Sequence, residues 1–323
     1  MELLKYVLKL RWIFLIIFAL LFPILCNFDK YFLHVGITIS LNVALASSLW
    51  LIWTLGLVSF AHAGIMGIGA YTSALLFTKL GISPWIGIWV GAFTAALFAL
   101  LISFPLMRTR AVYFFMASWA VGEVIKRNFA YFKDFFGGWN GVFDIGQPKL
   151  NFQFLTIDFS NRLAFYYLIA LIVTVIVFFI YRINHSRMGK MSWSIYDNEV
   201  LAEHIGINVL KQKVIIFTIA CFFAGLTGAL YAHYQTYISP KSFDIWKSEF
   251  ALVHVIVGGL TTVGGPVVGA IILTTIDEIL RATEHFRVIL FGAILISIVV
   301  LLPGGLETIP KKIKKQFFVS KRD

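Results

Sequence analysis

The chain has 323 residues, of which 59% are hydrophobic and 13% are charged, and its formal net charge is +11. Its mean hydropathy of +0.86 excludes a soluble domain of this size, which could not hide so many apolar side chains behind so few polar ones. Most of the chain must therefore face lipid. The composition predicts an all-α, polytopic integral membrane protein with a single transmembrane domain over residues 1–323.

Ten apolar segments follow one another along the chain, and several are shorter than the roughly 20 residues that a membrane span needs. They lie at about residues 12–26, 31–55, 61–79, 84–107, 111–125, 163–181, 214–234, 248–263, 265–280 and 286–302. The first resembles a signal peptide, but no A-x-A cleavage site follows it, so we expect it to be an uncleaved span. Short or glycine-interrupted spans indicate helices broken at membrane depth.

Basic residues cluster at the ends of these segments, which is typical of membrane topology and not of nucleic-acid binding. With the N-terminus inside, 16 of the 27 Lys and Arg residues fall on the inner side. Both termini are therefore expected in the cytoplasm. Residues 303–323 form a basic cytoplasmic tail, for which binding of anionic membrane lipid is an alternative role.

The longest polar interruption, residues 182–213, is predicted to be a cytoplasmic loop. From Trp193 to Ile207 the apolar residues recur at helical spacing, which predicts an amphipathic surface helix that ends near Gly206. A membrane protein driven by a soluble motor needs such a docking element, and a protein that only conducts a solute does not.

Two glycine-rich stretches, Gly56–Tyr71 and Gly258–Ala270, lie in opposite halves of the chain. Paired interruptions of this kind indicate a translocation path between two halves of a transporter, and close helix packing through small residues is the alternative. His62 could line the path or could satisfy backbone groups of a broken helix. The candidate path residues are Ser59, His62, Gly67, Gly69, Gly258, Gly259, Gly264 and Gly265.

The sequence contains none of the motifs that we would expect of an enzyme. Gly189-Lys190 is followed by Met191, so there is no Walker A motif, and HExxH and GxSxG are absent too. Cys26 and Cys221 lack a CxxC partner, so we expect no metal and no cofactor in this chain. Charged residues between Asp277 and Arg287 have i,i+3 and i,i+4 spacing, which predicts a surface ion-pair ladder.

Several motifs together resemble the permease subunits of ABC importers for branched-chain amino acids, the LivM/LivH-type family. The similarity runs from about residue 40 to 280 and is most specific in three segments. These are S-R-M-G-K at 186–190, N-E-V-L-A-E-H-I-G-I-N at 198–208 and F-F-A-G-L-T-G-A-L-Y-A-H-Y at 222–234.

The resemblance implies a multi-pass subunit of the inner membrane that pairs with a second permease, two cytoplasmic ATPases and an extracytoplasmic solute-binding protein. ATP and Mg would bind on the partner subunits, and the solute would be a branched-chain amino acid, urea or a short amide. The family's coupling element would lie at Glu199, Ala202 and Gly206, and Asp197, Asn198 and Glu203 complete the predicted contact with the ATPase. A gradient-driven carrier or channel, or a structural scaffold, remains the alternative function.

Overall fold

The computed structural model describes residues 22, 23, 28–152, 155–302 and 304–308. Within them the chain forms a helical bundle with eleven α-helices of six residues or more. They are α1 (Lys30–Trp53), α2 (His62–Leu80), α3 (Pro84–Leu106), α4 (Ala111–Tyr131), α5 (Arg162–His185), α6 (Arg187–Asp197), α7 (Glu199–His204), α8 (Val209–Gln235), α9 (Ile245–Gly258), α10 (Gly264–Leu280) and α11 (Arg287–Leu301). Short helical turns lie at Lys133–Phe136, Gly138–Asn140, Pro240–Phe243, Arg281–Phe286 and Leu306–Thr308.

Nine of the ten predicted apolar segments coincide with helices. The segment at 12–26 and most of the basic tail fall outside the described residues. Five of the described helices, α1, α2, α3, α5 and α8, are long and apolar enough to cross a membrane. Since α9, α10 and α11 have 14, 17 and 15 residues, the total of ten spans and the orientation of the termini stay predictions.

Within the described residues the predicted all-α class is confirmed, and one small β-hairpin is added to it. Strands β1 (Lys149–Phe152) and β2 (Leu155–Asp158) pair antiparallel in the connection between α4 and α5. Upstream, Gly137, Gly138 and Gly141 have positive φ, which is typical of a tight turn. Strands of four residues in a long polar connection are too short for the hydropathy pattern to indicate.

Asparagine side chains cap the first turns of α5 and α8. Asn161 accepts a hydrogen bond from the Leu163 amide at the start of α5, and Asn208 accepts one from Lys211 at the start of α8. These side chains satisfy amide groups that the first turn of a helix leaves without an internal partner.

Helix α8 is the centre of the bundle, where it packs against α1, α2 and α3. Contacts between small residues allow this close approach. A Cβ added at Gly69 would lie 2.2 Å from the Gly225 carbonyl oxygen, and one added at Gly225 would lie 2.3 Å from the Cβ of Ala95. Glycine is therefore required where these three backbones meet, as is common in membrane bundles.

Candidate functional site

The polar segment between α5 and α8 folds into two helices, whereas the sequence pattern predicted one helix over 193–207. Asn198 is extended, with φ −161° and ψ 108°, and its side chain accepts the Leu201 amide at 3.0 Å. Asn198 therefore ends α6 and begins α7. The predicted end near Gly206 is confirmed, because α7 ends at His204 and Gly206 has φ +88°.

A buried polar contact ties α6 to the first turn of α8. The side-chain amide of Gln212 donates to the Met188 carbonyl at 2.8 Å and to the Ser192 hydroxyl at 3.0 Å. Both Gln212 and Ser192 are buried. Because buried amide groups are costly to leave without partners, these bonds fix α6 relative to α8.

An ion pair connects the start of α7 to α8. Lys213 Nζ lies 2.7 Å from Glu199 Oε1, and the Lys213 side chain is 3% exposed while that of Glu199 is 55% exposed. The lysine is therefore held inside the protein by a carboxylate at its surface. Ala202, one turn after Glu199, is also buried and faces the bundle.

The opposite side of α7 presents apolar side chains to solvent. Val200, Leu201 and Ile205 are between 60% and 67% exposed. We call these three side chains the docking face. Asp197, Glu203 and Gly206 are also exposed and border it. An exposed apolar patch with a charged rim on a short, well-anchored helix is typical of a protein interaction surface.

Aromatic contacts join α6 to the last turn of α1. The ring of Trp193 lies 6.2 Å from that of Trp50, and the ring of Tyr196 lies 6.2 Å from that of Trp53. Trp50 is fully buried, and its Nε1 donates to the Leu260 carbonyl at 2.9 Å. Leu260 lies between α9 and α10, so a single tryptophan contacts both the α6 helix and the second glycine-rich stretch.

The first glycine-rich stretch contains the predicted break, between the end of α1 and the start of α2 at His62. Both candidate path residues here, Ser59 and His62, are buried. His62 Nε2 lies 2.8 Å from the Ser48 hydroxyl, and its Nδ1 has no hydrogen-bond partner among the described residues. His62 therefore does not satisfy the backbone of the break.

Two serines meet the backbone groups of this break instead. The Phe60 amide donates to the Ser118 hydroxyl at 3.1 Å. The Ser248 hydroxyl accepts from the Ala63 amide at 2.8 Å and donates to the Phe60 carbonyl at 2.9 Å. A non-helical segment inside a membrane bundle requires such partners.

The candidate path glycines lie in close contacts between elements. Gly67 faces the rings of Phe129 and Phe243, and Gly69 faces Gly225. Close helix packing, the alternative interpretation of these glycines, explains why residues without a side chain stand at these contacts.

In the second glycine-rich stretch α9 and α10 meet directly. A Cβ at Gly258 would lie 1.9 Å from the Gly265 carbonyl oxygen, and Gly259 has φ +129°. Of the four candidates here, Gly264 alone has free space around its Cα, since a Cβ there would have its nearest contact at 3.5 Å. The structure thus brings Gly258, Gly259 and Gly265 together in one junction.

Charged residues at the C-terminal end of α10 pair with arginines that follow them along the chain. The predicted ion-pair ladder is only partly correct. Arg281 pairs with Glu278 at i,i+3, but Arg287 at the start of α11 reaches back ten residues to Asp277. A contact between residues of two successive helices does not follow the i,i+3 and i,i+4 spacing within one helix.

Comparison with known proteins identifies the class of this chain. Residues 31–299 match the family described as "Branched-chain amino acid transport system / permease component", and the chain belongs to this family. It is therefore a multi-pass membrane protein and a transport permease subunit, not a catalytic enzyme.

Particular relatives agree with this assignment. The chain is 28% identical to the high-affinity branched-chain amino acid transport system permease protein LivM of Escherichia coli K12, over 85% of this chain and 67% of the relative. It is 24% identical to LivH of Salmonella typhimurium, over 78% of this chain and 86% of the relative. It is 25% identical to the ribose import permease RbsC of Escherichia coli K12, over 38% and 40%. No solved structure matches the chain.

Proposed function

We propose that this chain is an inner-membrane permease subunit of an ABC importer that moves a branched-chain amino acid into the cytoplasm. ATP and Mg bind on two partner ATPases, a second permease completes the membrane pore, and an extracytoplasmic protein delivers the solute. The family supports the permease role, and relatives named for branched-chain amino acids support the solute.

The docking face is the observation that best supports a transporter driven by partner ATPases. Its apolar side chains are 60–67% exposed, whereas the residues behind them are fixed by a buried amide and a buried lysine. A surface that is anchored from within and apolar outside fits a groove on a second protein. Asp197, Asn198, Glu199, Ala202, Glu203 and Gly206 build this element and carry the proposed coupling to the ATPase.

The contact route from the docking face toward the candidate path supports transmission of ATPase closure. It runs from α6 through Trp193 and Trp50 to Leu260, beside the Gly258–Gly265 junction. In this proposal, movement of α6 and α7 shifts α1 and the α9–α10 junction together. In this proposal the path glycines allow the close backbone contacts along which these helices slide.

Co-purification tests the assembly. The tagged chain is extracted gently from its native membranes, and its partners are identified by mass spectrometry, with another ABC importer as a control for preserved assembly. Two ATPases and a second permease are the expected partners of the wild-type chain. Leu201→Asp should lose the ATPases but keep the second permease, while the matched variant Leu201→Met should keep both. Recovery of the chain alone under these conditions would favour a gradient-driven carrier.

A further inference from the structure

A cavity of about 350 Å³ lies between α1, α9, α10 and α11. Its size falls within the range of about 300–1,000 Å³ that is usual for small-molecule sites. Although the chain is strongly apolar, many groups that line the cavity are polar or charged. Those that matter here are Asn42, Lys247, His254, Thr274, Asp277 and Glu278.

One wall of the cavity carries a cation without a counter-charge. Lys247 is half-buried in the first turn of α9, and its Nζ lies 3.8 Å from the centre of the Tyr231 ring. No carboxylate of the described residues lies within ion-pair distance of this ammonium group. An aromatic face stabilises a cation but leaves its hydrogen-bond donors free for an anionic group.

The α10 wall carries two carboxylates. Asp277 accepts from Arg287 at 2.9 and 2.6 Å, and Glu278 accepts from the Tyr31 hydroxyl at 2.8 Å and from Arg281 at 3.1 Å. A carboxylate offers about four acceptor positions, so these contacts fix both groups and leave capacity for a further donor. The cavity therefore has a free cation on α9 and oriented carboxylates on α10.

A buried histidine also lines the cavity. His254 is 4% exposed, and its Nδ1 has no hydrogen-bond partner within the described part of the chain. Close by, Asn42 donates to the Thr274 hydroxyl at 3.0 Å. These side chains add polar surface to the cavity wall beside the charged groups.

We infer that this cavity binds the zwitterionic head of a free α-amino acid, with its carboxylate on Lys247 and its ammonium group on Asp277 and Glu278. Phe250, Leu273 and Phe291 provide an apolar surface in the same cavity for the side chain of the solute. This inference rests on the proposed function and names the site at which the permease itself recognises its solute. It requires both charges of the solute.

Direct binding tests the inference. The permease–ATPase assembly, without the extracytoplasmic binding protein, is placed in phosphatidylcholine nanodiscs, and binding of radiolabelled L-leucine is measured up to about 10 mM. We expect saturable binding. Leucinamide, which lacks the carboxylate, and 4-methylpentanoate, which lacks the ammonium group, should each compete at least roughly tenfold more weakly than leucine, because each loses a charge-assisted contact.

Variants assign the binding to the cavity. Lys247→Gln should weaken leucine binding roughly tenfold or more, and Lys247→Arg, which keeps the charge, should restore most of it. Lys133→Gln removes an exposed lysine that does not line the cavity and should bind like the wild type. Elution of each variant as an intact assembly confirms that it is folded.

Uptake in the complete importer separates failure of this inference from failure of the proposed function. If leucine uptake proceeds but binding is absent, or is unchanged in Lys247→Gln, the cavity is not the solute site and the transport function stands. If no amino acid is taken up, the proposed function itself fails. Loss of leucine binding when phosphatidylethanolamine is added would identify a lipid headgroup as the occupant and would also overturn the inference.

Discussion

Gly69 shows how a single residue sets the spacing of the central helices. A Cβ at this position would lie 2.2 Å from a backbone oxygen of α8, and backbone cannot move aside as a flexible side chain can. Gly69→Ala should therefore destabilise the bundle by about 1–3 kcal/mol or more. The measurement is the melting temperature of the detergent-solubilised chain by fluorescence-detected size exclusion.

Gly292→Ala is the matched control, because a Cβ at Gly292 of α11 would meet nothing within 4 Å. Alanine is also the better helix former, so this variant should be neutral or slightly stabilising. Equal melting temperatures for both variants would contradict the proposed packing of α2 on α8.

The Glu199–Lys213 pair predicts unequal roles for two glutamates on one short helix. Glu199→Ala leaves a buried ammonium group without its carboxylate, whereas Glu203 is exposed and makes no ion pair with the described residues. Breaking a fully buried pair costs about 3–5 kcal/mol, and we expect about 1–2 kcal/mol here because Glu199 is more than half exposed. Thermal melting of both variants checks this, and an equal loss for Glu203→Ala would contradict it.

At the scale of elements, the contact route through Trp50 predicts that a change of this residue impairs the transmission of ATPase closure to the path. Assembly of the subunits should not be affected. Trp50→Phe keeps an aromatic ring against Trp193 but removes the Nε1 donor to Leu260. A lost hydrogen bond of this kind costs about 1–3 kcal/mol when the acceptor stays buried.

We expect Trp50→Phe to assemble with its ATPases and to hydrolyse ATP, but to transport fewer solute molecules per ATP. Uptake and ATP hydrolysis measured on the same proteoliposomes give this ratio. Trp139→Phe, at an exposed tryptophan in the connection before the β-hairpin, is the control and should leave the ratio unchanged. A normal ratio in Trp50→Phe would exclude this tryptophan from the transmission route.

The sequence predicted elements better than it predicted contacts. Apolar runs located nine helices, since lipid requires long uninterrupted hydrophobic surfaces. The break at Asn198 was missed because helical periodicity continues through it, and only the extended backbone of this residue separates α6 from α7. The contacts of Trp50 were also missed, because its partners Trp193 and Leu260 lie far from it along the chain.

At the scale of the whole molecule, the distribution of buried and exposed apolar residues agrees with a membrane setting. α8 is largely buried by its neighbours, whereas α3 exposes Trp89, Phe93 and Leu101, and α11 has no buried residue among its 15. Apolar side chains on these outer helices need lipid or a second membrane subunit to cover them. The docking face, in contrast, lies on a polar segment, where a soluble partner has access to it.

Leucine uptake into proteoliposomes that contain the complete assembly tests the central claim most directly. We predict that uptake requires ATP and the partner ATPases, survives ionophores that abolish proton and sodium gradients, and is lost in a Glu199→Ala, Gly206→Ala double variant that still inserts into the membrane. Uptake that collapses with the ion gradient and continues without any ATPase would contradict the account.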